Sequence, residues 1–214
     1  MKTLKTPKND FIWKTFLTVA RAIWNRRQTF IYTSLLISFS ITAVAATRYV
    51  DINNPNPISP YTNWGTAATS IQDAVDVSLA GDAVLVTNGV YQTGGRLASG
   101  TSTTNRVVVN KAITVSSVNG PEFTVIRGYL DSLALNNAAA VRCVYLTNGA
   151  MLAGFTLTNG GTYVGDNGGG AYCYSIQAVL SNCIISGNVA SGSGGGVCSG
   201  TLNNSTILKT IMSW

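Results

Sequence analysis

At 214 residues the chain allows one ordinary domain, or a smaller domain behind a targeting segment, and leaves no room for a large multidomain enzyme. It contains no histidine, which excludes imidazole acid/base catalysis, Ser-His-Asp and Cys-His nucleophiles, and zinc sites built on imidazole. The net charge of +6 lies before residue 29, where Lys2, Lys5, Lys8, Lys14, Arg21, Arg26 and Arg27 face only Asp10; from Thr47 onward seven bases and seven acids cancel, so no nucleic acid is expected as a partner.

The first element is an address. A basic stretch ending in Asn25-Arg26-Arg27-Gln28 precedes an uncharged run of 18 residues, Thr29 to Ala46, closed by the small residues Ala43, Ala45 and Ala46. This is the layout of an extended signal peptide, residues 1–46, with cleavage after Ala45 or Ala46 because the peptidase accepts only small side chains at those positions. The alternative is an anchor: 18 uncharged residues are close to the minimum for a membrane span, and the positive flank would leave residues 29–46 holding the chain in the inner membrane. Export, to the medium or to the cell surface or outer membrane, is the expected localisation.

Residues 47–214 read as strands and turns, with charged residues only 14 of 168 and Gly, Asn, Ser and Thr punctuating short β-branched runs. One helix is predicted over about 70–80, capped by Ser70 with Asp73 three residues on. Its buried stripe is Ile71, Ala74, Val75, Ser78 and Leu79, and Gly81 stops it. Strands are then predicted at 83–87, 106–109, 112–116, 124–127, 141–146 and 151–158. Turns are expected at Asn88-Gly89, Asn119-Gly120-Pro121, Asn148-Gly149 and Asn159-Gly160-Gly161.

Residues 141–207 hold the clearest repeats. Leu152-Ala-Gly154-Phe155-Thr-Leu157 recurs as Leu180-Ser-Asn182-Cys183-Ile-Ile185, 28 residues on, and as Leu202-Asn-Asn204-Ser205-Thr-Ile207, a further 22 on. Gly168-Gly169-Gly170-Ala171 recurs as Gly194-Gly195-Gly196-Val197. A period of this size, with strand-length runs and no helices between them, predicts a solenoid of the parallel β-helix type, one turn of coil per repeat.

The stretch Thr69-Ser70-Ile71-Gln72-Asp73-Ala74-Val75, then Gly81-Asp82-Ala83-Val84-Leu85-Val86, then Gly89-Val90-Tyr91, resembles the start of right-handed parallel β-helix proteins of the pectin-lyase-like superfamily. The resemblance spans residues 48 to about 207. It implies an all-β, right-handed parallel β-helix whose open N-terminal end is plugged by a short capping helix, with Gly-Asp turning into the first strand. Asn182-Cys183-Ile-Ile-Ser-Gly187-Asn188 followed by Gly194-Gly195-Gly196 looks like the repeats of bacterial surface and polymorphic outer-membrane β-helices.

That superfamily's lyases use clustered acidic calcium ligands with an Arg or Lys base, and its hydrolases use several aspartates with a His and an Arg-x-Lys. Neither set is present, so no catalytic, cofactor-binding or metal-binding residue is nominated. Asp166-Asn167 before Gly168 could offer oxygens to calcium, but an Asx turn is the plainer reading. Trp64, Tyr61, Tyr91, Tyr129, Tyr145, Tyr163, Tyr172 and Tyr174 could stack on sugars or fill core and shoulder positions. Cys183, in the column of Phe155 and Ser205, is expected to pack inward. Cys143, Cys173 and Cys198, spaced near one turn of coil each, are expected to be unpaired or stacked thiols rather than disulfides.

The functional expectation is an exported or cell-surface solenoid with a structural or binding role toward polysaccharide, protein or other cell-surface components. The alternative is a fragment of a polysaccharide lyase or hydrolase whose catalytic turns lie beyond residue 214. The apolar, strand-like Ser205 to Trp214, with Lys209 as its one charge, predicts a coil truncated at its C-terminal edge that self-associates there.

Overall fold

Three-residue and four-residue strands cannot stand alone in water, because each buries only one or two side chains and leaves its backbone unpaired. Here each strand finds its partner one turn of coil away. The computed structural model describes residues 16–24, 44–130 and 138–212. It divides into two units, Met1–Val44 and Ala45–Trp214. Within the first unit, residues 16–24 form an exposed helix, and the predicted apolar run lies almost wholly outside the described residues. Among the described residues no helix is long and apolar enough to cross a membrane.

The second unit is a parallel β-helix. Its chain visits three sheets in rotation. The first sheet stacks Thr47–Val50, Ala83–Val86, Thr114–Ser117, Met151–Ala153, Val179–Ser181 and Thr201–Asn203. The second stacks Gly89–Tyr91, Thr124–Arg127, Thr156–Thr158, Ile184–Ser186 and Thr206–Leu208, and the third Thr104–Val109, Val141–Leu146, Ala171–Cys173 and Val197–Cys198. Every pairing among these is parallel. The short strand Arg96–Leu97 pairs antiparallel with Thr104–Val109 at the edge of the third sheet.

The repeats seen in the sequence are the registers of these sheets. Leu152, Leu180 and Leu202 align in the first sheet, and Leu157, Ile185 and Ile207 in the second. Above the last turn of coil they form the core with Val84, Val115, Ile126, Val144 and Leu146. Side chains alternate in and out along each strand, so a two-residue slip-free register keeps one aliphatic column per sheet buried. The paired glycine triplets are explained by crowding. Gly168 and Gly194 have φ of 69° and 67°, and a Cβ on Gly169 would collide with the carbonyl oxygens of Val189 and Gly195.

Four expectations are corrected. The strand predicted at 151–158 is two strands, Met151–Ala153 and Thr156–Thr158, because Gly154 adopts φ +77° and turns the chain from the first sheet to the second. The helix is Ile71–Val77, shorter than predicted: Ser78 turns extended and its hydroxyl bonds back to the carbonyl of Ala74 at 2.7 Å. Leu79 therefore lies beyond the helix and is 67% exposed rather than part of the buried stripe. Ser70 sits at the N-cap position but its side chain makes no capping bond. Of the two cysteine arrangements expected, unpaired or stacked, the register leaves the first, since it pairs Cys173 with Leu146 and Cys198 with Tyr172. All four cysteines are unpaired.

The helix plugs the N-terminal end as the resemblance implied, burying Ile71, Ala74 and Val75 in the core. Gln72 completes the fit. Its amide oxygen accepts from the N–H of Val108 at 2.7 Å and its amide nitrogen donates to the carbonyl of Val108 at 3.2 Å, as a neighbouring strand would. At the other end of the helix the ammonium of Lys111 donates to the carbonyls of Val75, Asp76 and Ser78 at 2.7 to 2.8 Å, satisfying groups a helix C-terminus leaves open.

Candidate functional site

Where the chain turns from the first sheet to the second, most turns are two residues long, because one residue in the left-handed region reverses the strand direction enough. Gly154, Asn182 and Asn204 take that place at φ +77°, +50° and +47°. Asparagine tolerates this conformation and leaves an amide on the surface, so the turns form a polar edge. At one level the turn is longer. Residues 118–123 project from the coil, with Val118 and Phe123 exposed.

Two clefts flank this projecting loop and both are bordered by Asn119. The first, of about 490 Å³, is lined by Asp51, Asn53, Trp64, Thr87, Asn88, Val118 and Asn119. The second, of about 450 Å³, lies between Asn119, Pro121 and Glu122 on one side and Asn182, Ile184, Asn204 and Thr206 on the other. The first carries the more specific chemistry. Trp64 begins a short 3-10 turn held by Asn63, whose side chain accepts from the N–H of Thr66 at 3.1 Å. Its ring packs edge to face on Tyr49, centroids 4.6 Å apart, and stays 42% exposed. The indole is thus fixed before any ligand arrives.

The polar groups around it are fixed as well. Asp51 accepts from the N–H of Asn53 at 3.0 Å and from the hydroxyl of Thr87 at 3.3 Å through one carboxylate oxygen. Asn119 donates to the side-chain oxygen of Asn88 at 2.8 Å, which fixes the two amides against each other and leaves the NH2 group of Asn88 to donate and the side-chain oxygen of Asn119 to accept. An indole beside fixed amides and a carboxylate suits a ligand with an apolar ring face and hydroxyl edges.

The other aromatics serve elsewhere. Tyr91 is buried in the core. Tyr145 and Tyr172 stack at 5.6 Å on the outer side of the third sheet, over Val108 and Ala98. Beside them Arg142 is 1% exposed and has its guanidinium 5.4 Å from the Tyr172 ring centroid. Its donors reach the side-chain oxygen of Asn105 at 2.6 Å and the carbonyls of Asn167 and Gly168 at 2.7 to 2.8 Å. Burial lowers its pKa, against the pull of Asp166. Arg142 ties the loop at Asn167 and Gly168 to two strands of the third sheet, and it is buried away from solvent.

Asp166 and Asn167 are turn residues. The carboxylate of Asp166 accepts from the hydroxyl of Thr103, and the side-chain oxygen of Asn167 accepts from the N–H of Ser193 at 2.6 Å. Both oxygens hold loop backbone and side chains in place. Among the described residues no group of three or more Cys, Asp or Glu side chains could hold a metal. Burial pushes the thiols of Cys143 and Cys173 up to about 12, so they stay protonated and pack as apolar volume. Cys183 packs in the core beneath Phe155, as its column predicted. Of the aromatic residues named from the sequence, Trp64 lines the cleft beside the projecting loop, while Tyr91 borders a separate small concavity at the cap helix with Gln72 and Arg106. In the sequence Asn88 and Asn119 signal turns, and their second use becomes visible only with the register that brings residues 51, 88 and 119 to adjacent turns.

No family model matches the chain, and no curated protein matches it. A solved rhamnogalacturonan lyase is similar at 16% identity and a TM-score of 0.45, covering 77% of this chain and 50% of that one. The chain thus spans about half the length of that lyase. The parallel register of the three sheets establishes the β-helix independently of this likeness.

Proposed function

We propose that this chain is an exported β-helix solenoid, secreted or held at the cell surface, that binds carbohydrate at the Trp64 cleft. The observation that carries the reading is the prearranged group of Trp64, Asp51, Asn53, Asn88 and Asn119 on the edge of a rigid coil. Export is supported by the signal-like residues 1–46. The charged residues lining the two clefts are Asp51 and Glu122, both acidic, so a neutral glycan fits better than a polyuronate. Affinity electrophoresis against neutral plant and bacterial glycans and against polygalacturonate tests this. Retardation by at least one neutral glycan is expected, and Trp64→Ala should weaken it by about tenfold or more, the usual scale for removing a central aromatic anchor. Retardation that Trp64→Ala leaves unchanged, or no retardation by any glycan, would overturn the site. Release of unsaturated products from polygalacturonate, pectin or alginate with calcium would instead make the protein a lyase.

A further inference from the structure

The sequence leaves two bonds open to the processing peptidase, after Ala45 or after Ala46, and the structure distinguishes them. The backbone N–H of Ala46 donates to the Oδ1 atom of Asp82 at 2.8 Å, and the carbonyl of Ala46 accepts from the N–H of Ala83 at 2.9 Å. Ala46 is therefore the first residue engaged with the coil, immediately before the strand Thr47–Val50, while Val44 and Ala45 are exposed. Cutting after Ala46 would remove both bonds. Cutting after Ala45 keeps both.

Asp82 is built to hold charge at this place. It is nearly buried, its carboxylate also accepts from the N–H of Leu79 at 2.9 Å, and Arg48 lies 3.5 Å away. We propose that the leader is cut between Ala45 and Ala46, and that the α-ammonium so released is clamped by Asp82, making processing the step that completes the first turn of the coil. This rests on the export reading above. In the step, water adds across the Ala45–Ala46 amide under a membrane-bound signal peptidase: the acyl carbon of Ala45 becomes a carboxylate, and the nitrogen of Ala46 leaves as an amine and takes up a proton. A neutral N–H on Asp82 is thereby replaced by a cation at the same atom, and charge-assisted bonds are roughly twice as strong as neutral ones. The charges facing the new ammonium are Asp82, which attracts it, and Arg48 and Lys111, which oppose it from farther out.

The test uses the full chain, expressed in an exporting bacterium, with the product recovered and its mass and N-terminal residue determined. An N-terminus at Ala46 is expected. An N-terminus at Thr47 would overturn the proposed cut and leave export standing, and recovery of only the intact chain would overturn export and the proposal with it. The clamp is read separately, from the rate at which an amine-reactive reagent labels the α-amine of the processed protein. Labelling should be about tenfold slower than in Asp82→Asn, because the amine must leave the carboxylate to react. If Asp82→Asn does not fold, Arg48→Gln gives the opposite arm: with its competitor gone, the carboxylate should hold the amine more firmly and labelling should slow further. Equal rates in the wild type and in whichever of these variants folds would overturn the clamp.

Discussion

Asn188 is fully buried between turns of the coil, and every polar atom of its side chain is bonded. Its Oδ1 atom accepts from the N–H of Gly160 at 2.8 Å, and its Nδ2 donates to the carbonyl of Leu157 at 2.9 Å. The thiol of Cys143 approaches the same oxygen at 3.6 Å. A leucine of similar size would strand both backbone groups, so Asn188→Leu is expected to lower stability by roughly 2–4 kcal/mol in denaturant unfolding. Asp82 has a different signature. Burial alone would push its carboxyl up, but the N–H groups of Leu79 and Ala46, with Arg48 and Lys111, hold it below the usual carboxylate range. Because the folded pKa is the lower one, its contribution is complete above the ordinary carboxylate pKa of about 4 and is lost as pH falls through the folded value. The stability gap between wild type and Asp82→Asn should be widest near neutrality and close in acid, which unfolding midpoints across that pH range will check.

Among the elements, the cap helix answers a problem created by the coil itself. A β-helix leaves the backbone of its first turn unpaired, and an open edge recruits other strands. The side-chain amide of Gln72 covers Val108 by imitating a strand, with both donor and acceptor in place. Gln72→Glu keeps the length and loses the donor, setting a carboxylate oxygen against the carbonyl of Val108. It is expected to cost about 1–3 kcal/mol and to speed hydrogen exchange at the Val108 amide ahead of the rest of the third sheet. The existence of this helix was legible because Ile71, Ala74 and Val75 keep helical spacing. Its end was not, because Leu79 continues that spacing although Ser78 turns extended, and Lys111, which satisfies the open carbonyls there, lies over thirty positions away. The strands at 124–127 and 141–146 were legible to the residue, since each is rich in β-branched, aliphatic or aromatic side chains and is followed by a turn former, Gly128 or Asn148-Gly149. The break at Gly154 was hidden inside an unbroken apolar pattern. Whether the cysteines share a column was hidden for a related reason: the stretch after each strand of the third sheet varies in length, so offsets of 30 and 25 residues, each near one turn of coil, still set Cys173 beside Leu146 and Cys198 beside Tyr172.

Across the whole coil, the last turn differs from those before it. Leu202 and Ile207 continue the inward columns, yet they are exposed together with Leu208, Ile211 and Met212, because among the described residues nothing stacks on them. We expect this chain, alone in solution, to associate through that surface. Light scattering after size-exclusion chromatography should show dimers or larger species, and replacing Ile207 and Ile211 together by Lys should move them toward monomer. The candidate cleft was only partly legible at this scale: Trp64 stood out as an aromatic, but its partners come from turns that only the coil brings side by side.

The strands of the third sheet shorten along the chain, from six residues at Thr104–Val109 and Val141–Leu146 to three at Ala171–Cys173 and two at Val197–Cys198. Each later turn of the coil therefore adds fewer ladder bonds to the one beneath it. In a molecule where each layer touches only its neighbours, stability is a sum of such interfaces, and here the sum is weighted toward the N-terminal end. A ribosome delivers that end first. The plugged part, with the longest strands of the third sheet, can close before the weaker turns have emerged, and each of those then condenses on a finished edge instead of having to nucleate one.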